Sequence, residues 1–298
     1  MRIEANGIAI EAEDTGSRDD GRPAVLLVMG LGMQLIAWPA AFVQALVDAG
    51  FRAIRFDNRD IGRSQHFDHL GVPNLMWESV KHRAGLPVRS PYALHDMALD
   101  SLGVLDALGI ERAHVVGVSM GGMIAQRVAL AAPQRVLSLA SVMSSSGARY
   151  LPGPKPQVLG ALLSRPQGRG EEALVDHGVK IWKLIGSPAF PPDEAVLREE
   201  VRAAVRRSFH PAGTMRQMAA VAADRRRPDE LPRIKAPTLV VHGRDDPLVP
   251  LACGHDTARR IGGARFVAVP GMGHDLPPPV VERLLEPLLP HLKKASPP

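Results

Sequence analysis

The sequence predicts an α/β fold: a mostly parallel sheet flanked by helices, with a helical cap inserted between two parts of the sheet. Three observations predict it. Apolar runs that stop at glycine, such as Ala24 to Met29 before Gly30, have the composition of parallel strands buried on both faces. These runs alternate with stretches whose apolar residues recur at helical spacing, the pattern of successive βαβ units. From Ser144 to Leu231 the strand signal disappears, and it resumes afterwards, so the flanks share one sheet. The expected division is 1–145 for the first part of the core, 146–231 for the cap and 232–298 for the second part.

Taken in order, Ile8 to Ala12 alternates as a strand, and Ala24 to Met29 is the first buried one. Pro39 to Ala49 places Phe42, Val43, Leu46 and Val47 on one helical face and ends at Gly50, a C-cap before the strand Phe51 to Phe56. The connection Gln65 to Pro91 is long and holds a helix-like piece, Leu75 to Val80, expected to form part of a pocket wall. Asp96 to Leu108 reads as a helix, Ala113 to Val118 as a strand, Met120 to Leu130 as a helix and Val136 to Val142 as a strand. Amphipathic helices then span roughly 156–164, 171–185, 192–208 and 213–223, separated by Pro and Gly. Pro237 to His242 and Arg265 to Val269 are strands, Leu251 to Ile261 and Val280 to Leu292 helices, and the tail Lys293 to Pro298 is expected to fray.

Composition removes several function classes. With 298 residues, 45% hydrophobic and 22% charged, the chain matches an ordinary globular protein rather than a disordered or fibrous one. The single Cys253 makes no intrachain disulfide and supplies no thiolate cluster. The excess of 36 basic over 31 acidic residues is small, and the groups Arg202, Arg206, Arg207 and Arg225 to Arg227 alternate with Glu199, Glu200, Asp224 and Asp229, a solvated helix face rather than a nucleic-acid surface. The N-terminus lacks a signal-peptide core, and no apolar run approaches the roughly 18 residues of a membrane span, so a cytoplasmic protein is expected.

The chemistry begins at Gly117-Val118-Ser119-Met120-Gly121, where a strand gives way to a helix, the setting of a nucleophile elbow. Glycines two before and two after the serine let strand and helix pass closely around a strained turn. By itself this pattern also describes a serine capping a helix. A nucleophilic serine needs a base and an anion to orient that base. Downstream, Gly243-Arg244-Asp245-Asp246 puts carboxylates on the loop after one strand, and Gly271-Met272-Gly273-His274-Asp275 puts an imidazole after the next. On the residues alone, either aspartate serves.

These motifs together resemble the α/β-hydrolase superfamily along essentially the whole chain. Leu26 to Trp38, Arg55 to Ser64, His114 to Gly121 and Pro270 to His274 further resemble the anthracycline (aclacinomycin) methyl esterases and similar small carboxylesterases. The resemblance implies the α/β-hydrolase fold, Ser119 as nucleophile, His274 as base and, in the pattern G-x-x-D-x-x-V-P, Asp246 rather than Asp245 as the acid. It also implies an oxyanion hole made by the backbone N–H groups of Leu31 and Met120. Many relatives carry His-Gly where this chain has Met29 and Gly30, a departure that spares a backbone donor and that the methyl esterases share. Gly30, Gly32, Met33 and Trp182 are candidate substrate contacts. The apolar residues Trp182, Leu184, Ile185, Met215 and Met218 of the cap serve either a pocket or the cap's own core.

The expected function is cleavage of a small apolar carboxylic ester through an acyl-enzyme. The same triad also suits lactone, carbon–carbon or perhydrolase chemistry, and the fold can serve as a receptor without catalysis. Ser119 stands where epoxide hydrolases and dehalogenases carry aspartate. No cofactor is expected: Gly30-x-Gly32 lacks the third glycine and the acidic partner of a dinucleotide loop. No metal is expected either, since His66, His69, His82 and His95 lack ligand spacing. His114 and His242 read as core histidines, and Asp57, Arg59, Gly62 and Ser64 as a structural loop. Beyond substrate, the only partner expected is a second copy in a homodimer.

Overall fold

The computed structural model describes residues 1–17 and 20–296. Its strands are β1 (Arg2–Ala5), β2 (Ile8–Asp14), β3 (Ala24–Val28), β4 (Arg52–Phe56), β5 (Ala113–Val118), β6 (Val136–Val142), β7 (Thr238–Gly243) and β8 (Arg265–Val269). Helices α1 (Ala40–Asp48), α2 (Leu75–Arg83), α3 (Leu94–Ala107) and α4 (Met120–Ala131) precede β6. Between β6 and β7 come α5 (Pro156–Leu163), α6 (Glu171–Ile185), α7 (Glu194–Arg207), α8 (Pro211–Ala223) and α9 (Arg227–Glu230), with no strand among the described residues. Helices α10 (Leu251–Arg260) and α11 (Pro278–Ala295) complete the chain. The sheet order is β1-β2-β4-β3-β5-β6-β7-β8. The pairs from β4 to β8 are parallel, and β2 joins β4 antiparallel.

Strand alternation divides the core into two layers. Leu26 and Val28 of β3 face one way and pack with Met97, Val104 and Leu105 of α3 and Ile124 and Val128 of α4. Val25 and Leu27 face the other way, toward Phe42 and Leu46 of α1 and Val281, Leu284 and Leu288 of α11. With both faces covered, the central strands are buried along their length and mostly apolar, which is why they read as continuous runs.

Two differences from the expected elements have physical causes. Strand β1 was not expected; it pairs with β2 through Asn6-Gly7, both at positive φ (52° and 72°), the two-residue turn of a tight hairpin. Asn-Gly between short alternating segments was the signal for it. Helix α11 continues through Ala295, so Lys293 to Ala295 are helical rather than frayed; Pro297 and Pro298 lie outside the described residues. The piece at Leu75 is a helix, with Met76 83% and Trp77 61% exposed.

His114 lies fully buried on β5, its ring nitrogens bonded to the hydroxyls of Ser138 (2.8 Å) and Ser296 (3.1 Å). Burial, helped by nearby His291, lowers its pKa from 6.5 to about 4. Between those values the unfolded chain binds a proton that the folded chain refuses, so stability falls as pH drops through that window. The full effect of this one group is about 3 kcal/mol. Urea midpoints are expected to fall steadily from pH 7 to pH 4, with a shallower fall for His114→Asn; equal slopes would remove His114 as a cause.

Candidate active site

Ser119 sits between β5 and α4 at φ 55° and ψ −123°, a backbone conformation that costs a non-glycine residue about 1–3 kcal/mol. Its neighbours explain how the turn is held. A Cβ on Gly117 would lie 2.1 Å from the Gly121 carbonyl oxygen, and one on Gly121 would lie 2.0 Å from that of Val28. Only glycine allows the strand and helix to approach this closely. The Ser119 N–H donates to the Val142 carbonyl (2.9 Å), and the Ser144 hydroxyl donates to the Ser119 carbonyl (2.7 Å). The Ser119 side chain makes no capping bond to α4, which removes the simple helix-cap reading.

Instead, Ser119 Oγ lies 2.9 Å from His274 Nε2, and His274 Nδ1 lies 2.7 Å from Asp246 Oδ2. The loops after β7 and β8 therefore bring the three residues together across the carboxyl edge of the sheet. With a carboxylate accepting at Nδ1–H, the Nε2 lone pair faces the serine hydroxyl. Asp246 is fixed on its other oxygen by the N–H groups of Leu248 (2.9 Å) and Val249 (2.8 Å). Asp245 is exposed and points elsewhere, accepting from the Gly271 N–H (2.9 Å) and tying the two loops together. His242, buried beneath, donates to the Val249 carbonyl (2.7 Å), while its Nδ1 has no partner among the described residues. Burial lowers the His242 pKa. A neutral ring there supports the loop without adding charge beside Asp246.

Opposite the serine, Gly30 to Met33 form a turn closed by Met33 N–H to the Gly30 carbonyl (3.2 Å), with Gly32 at φ +69°. Positive φ at the third position is the mark of a type II turn and requires glycine. A Cβ on Gly30 would lie 3.2 Å from Ser119 Cβ, so the turn abuts the serine. Neither the Leu31 nor the Met120 N–H has a hydrogen-bond partner among the described residues. Met33 and Trp182 are half-buried in apolar clusters: Met33 against the α1 layer, Trp182 against Val175, Val179, Leu197 and Val201 of α6 and α7. For Trp182 this includes the cap's own core among its contacts.

Several polar residues around the site hold its loops in place. Asp275, next to His274, accepts from the N–H (3.0 Å) and hydroxyl of Ser187, whose oxygen in turn accepts from Gly273 N–H (2.9 Å). The His274 N–H donates to the Ile185 carbonyl (2.8 Å), so the end of α6 is bonded to the histidine loop. Burial raises the Asp275 pKa, partly offset by Ser187. Asp57 accepts from Leu35 N–H (2.7 Å), Arg63 N–H (2.9 Å) and Arg207 Nη1 (2.7 Å). Arg59 pairs with Asp100, and Ser64 Oγ donates to the Asp57 carbonyl (2.6 Å), so the expected structural loop is a bonded one.

His66, Asp68 and His210, which sequence spacing keeps apart, converge to within 4.8 Å. Their geometry is that of a charge network. The two imidazoles stack 3.9 Å apart at 7°, so their in-plane lone pairs run parallel instead of meeting. Arg216 Nη2, 3.0 Å from His210 Nε2 and 3.1 Å from Asp68, already supplies the cation.

Comparison with known proteins agrees with this architecture. A family model described as alpha/beta hydrolase fold matches residues 23–171, and one described as TAP-like protein matches residues 214–280. The chain is 32% identical over 301 residues to rhodomycin D methylesterase DauP of Streptomyces sp. strain C5, covering 94% of each chain. It is 31% identical, with the same coverage, to rhodomycin D methylesterase DnrP of Streptomyces peucetius. Among solved structures, the enol-lactonase of Burkholderia xenovorans LB400 superposes with a TM-score of 0.72 at 24% identity, covering 98% of this chain and 100% of that one. The chain belongs to the α/β-hydrolase fold family, and it is a hydrolase.

Proposed function

We propose that the chain is a serine ester hydrolase in which Ser119 is the nucleophile, His274 the general base and Asp246 the residue that orients and stabilises the imidazole. The supporting observation is the unbroken chain of contacts from Ser119 Oγ to His274 (2.9 Å) to Asp246 (2.7 Å) on a strained, glycine-flanked turn. In this reading His274 Nε2 takes the hydroxyl proton as Oγ attacks the ester carbonyl. The N–H groups of Leu31 and Met120 receive the oxyanion, where preorganised donors are worth most. The imidazolium then returns the proton to the departing alkoxide, leaving an acyl-serine. Water, deprotonated by the same histidine, releases the acid.

The methylesterase relatives favour a methyl ester, with methanol as the leaving group. The helices between β6 and β7 act as the cap over the ester. A cytoplasmic setting suits the buried, unpaired Cys253. No described helix is long and apolar enough to cross a membrane.

The test is hydrolysis of p-nitrophenyl esters of increasing acyl length alongside methyl esters of apolar acids, followed by acid release. Turnover of both kinds is expected. Turnover of lactones alone, or of no ester, would overturn the reading.

A further inference from the structure

The oxyanion turn is held from outside the sheet. Gln217, fully buried on α8, accepts from the Gly32 N–H through Oε1 (2.9 Å) and donates from Nε2 to the Arg59 carbonyl (3.0 Å). Its helix is anchored to the core by the fully buried pair Arg216–Asp60, with bonds of 2.8 and 2.7 Å. Thr214, one turn earlier, packs so closely on Gly32 that a Cβ there would meet its hydroxyl at 2.9 Å. On the next residues of the same segment, Gln34 Nε2 donates to the carbonyls of Ala204 (2.7 Å) and Ser208 (2.9 Å) at the end of α7.

These contacts bear on the chemistry through the geometry of the turn. In this turn the Gly32 N–H belongs to the central Leu31–Gly32 peptide and the Leu31 N–H to the peptide just before it, so the two donors sit on adjoining planes of one turn. Among the described residues the Gly32 N–H is satisfied only by Gln217, and a buried N–H without a partner costs about 1–3 kcal/mol. Removing Gln217 therefore favours a shift of the Gly30–Met33 turn that gives the Gly32 N–H a new partner, and such a shift carries the adjoining Leu31 N–H with it.

Resting on the serine hydrolase reading above, we propose that Gln217 is a positioning residue for the oxyanion hole: α8 fixes the Gly30–Met33 turn and so the Leu31 donor. The cap would thus contribute to transition-state stabilisation as well as covering the substrate. An oxyanion donor counts only where negative charge develops, so the loss should fall on kcat and spare ground-state binding.

The test compares wild type with Gln217→Met, close in shape but lacking both bonds. Expected is a fall in kcat of about 10- to 100-fold with KM unchanged, and a matching weakening of a trifluoromethyl ketone inhibitor, whose hemiketal oxyanion occupies the hole. Unchanged kcat and inhibitor affinity overturn the proposal, as does a rise in KM with inhibitor affinity intact. A wild type that neither hydrolyses esters nor binds the ketone would instead remove the catalytic reading itself. Should Gln217→Met fail to fold, a crystal structure of the wild-type ketone adduct decides. The ketone oxygen on Leu31 N–H with the Gly32–Gln217 bond intact supports the proposal; the oxygen on Gly32 N–H overturns it.

Discussion

Ser119→Ala is expected to lower kcat by about 10⁴-fold or more while leaving the fold intact, because it removes the hydroxyl that lies 2.9 Å from His274 Nε2. The companion variant Ser119→Gly makes the expectation sharper. Ser119 holds φ 55°, a conformation that glycine adopts freely, so this variant should be equally inactive yet more stable than wild type by about 1–3 kcal/mol. Activity lost and stability gained together would show that the turn is strained in order to present the hydroxyl. Loss of stability in Ser119→Gly would mean that the backbone conformation is relaxed as it stands, and measurable turnover in Ser119→Ala would move the nucleophile elsewhere. Denaturant midpoints and steady-state rates on one ester substrate settle both.

The second large effect separates two adjacent carboxylates. Asp246→Asn is expected to lower kcat by about 10⁴-fold near neutral pH. The asparagine carbonyl would still accept from Leu248 and Val249, which leaves its amide N–H groups facing His274 Nδ1. Nδ1 would then have to accept, the proton would reside on Nε2, and the lone pair needed by Ser119 would be gone. Asp245→Asn, by contrast, loses only an exposed bond to the Gly271 N–H and should change the rate by no more than a few-fold. Equal losses in the two variants would contradict the assignment of Asp246, and a larger loss in Asp245→Asn would reverse it.

The legible parts of this protein were those where backbone geometry forces residue identity. Strands β3, β5 and β6 are buried and mostly apolar on both faces because helices cover both sides, and Gly117 and Gly121 are required by carbonyl oxygens about 2 Å from where a Cβ would stand. The order of Ser119, Asp246 and His274 was readable because each follows a strand at the same edge of the sheet. Choosing Asp246 over Asp245 required a resemblance, since the strand places both on one loop and only the loop's fold decides which reaches the histidine.

The supporting contacts were not legible, for a different reason. Gln217 lies 185 residues from Gly32, and Ser187 lies 88 from Asp275. Nothing periodic marks a buried glutamine on an amphipathic helix as bonded to a distant turn. The same holds for His66 and His210, whose stacking depends on how α8 docks on the loop after β4. Trp182 illustrates the converse: its apolar character suits a pocket and a helix interface equally, and its packing on α6 and α7 is compatible with either.

The most direct test of the central claim, that the Ser119–His274–Asp246 arrangement activates a serine, is labelling of the native protein with a fluorophosphonate probe followed by peptide mapping. The expected result is one label per chain, on Ser119, formed in wild type and strongly slowed in Asp246→Asn. An unlabelled native protein, or a label on another serine such as Ser144 or Ser187, would contradict it.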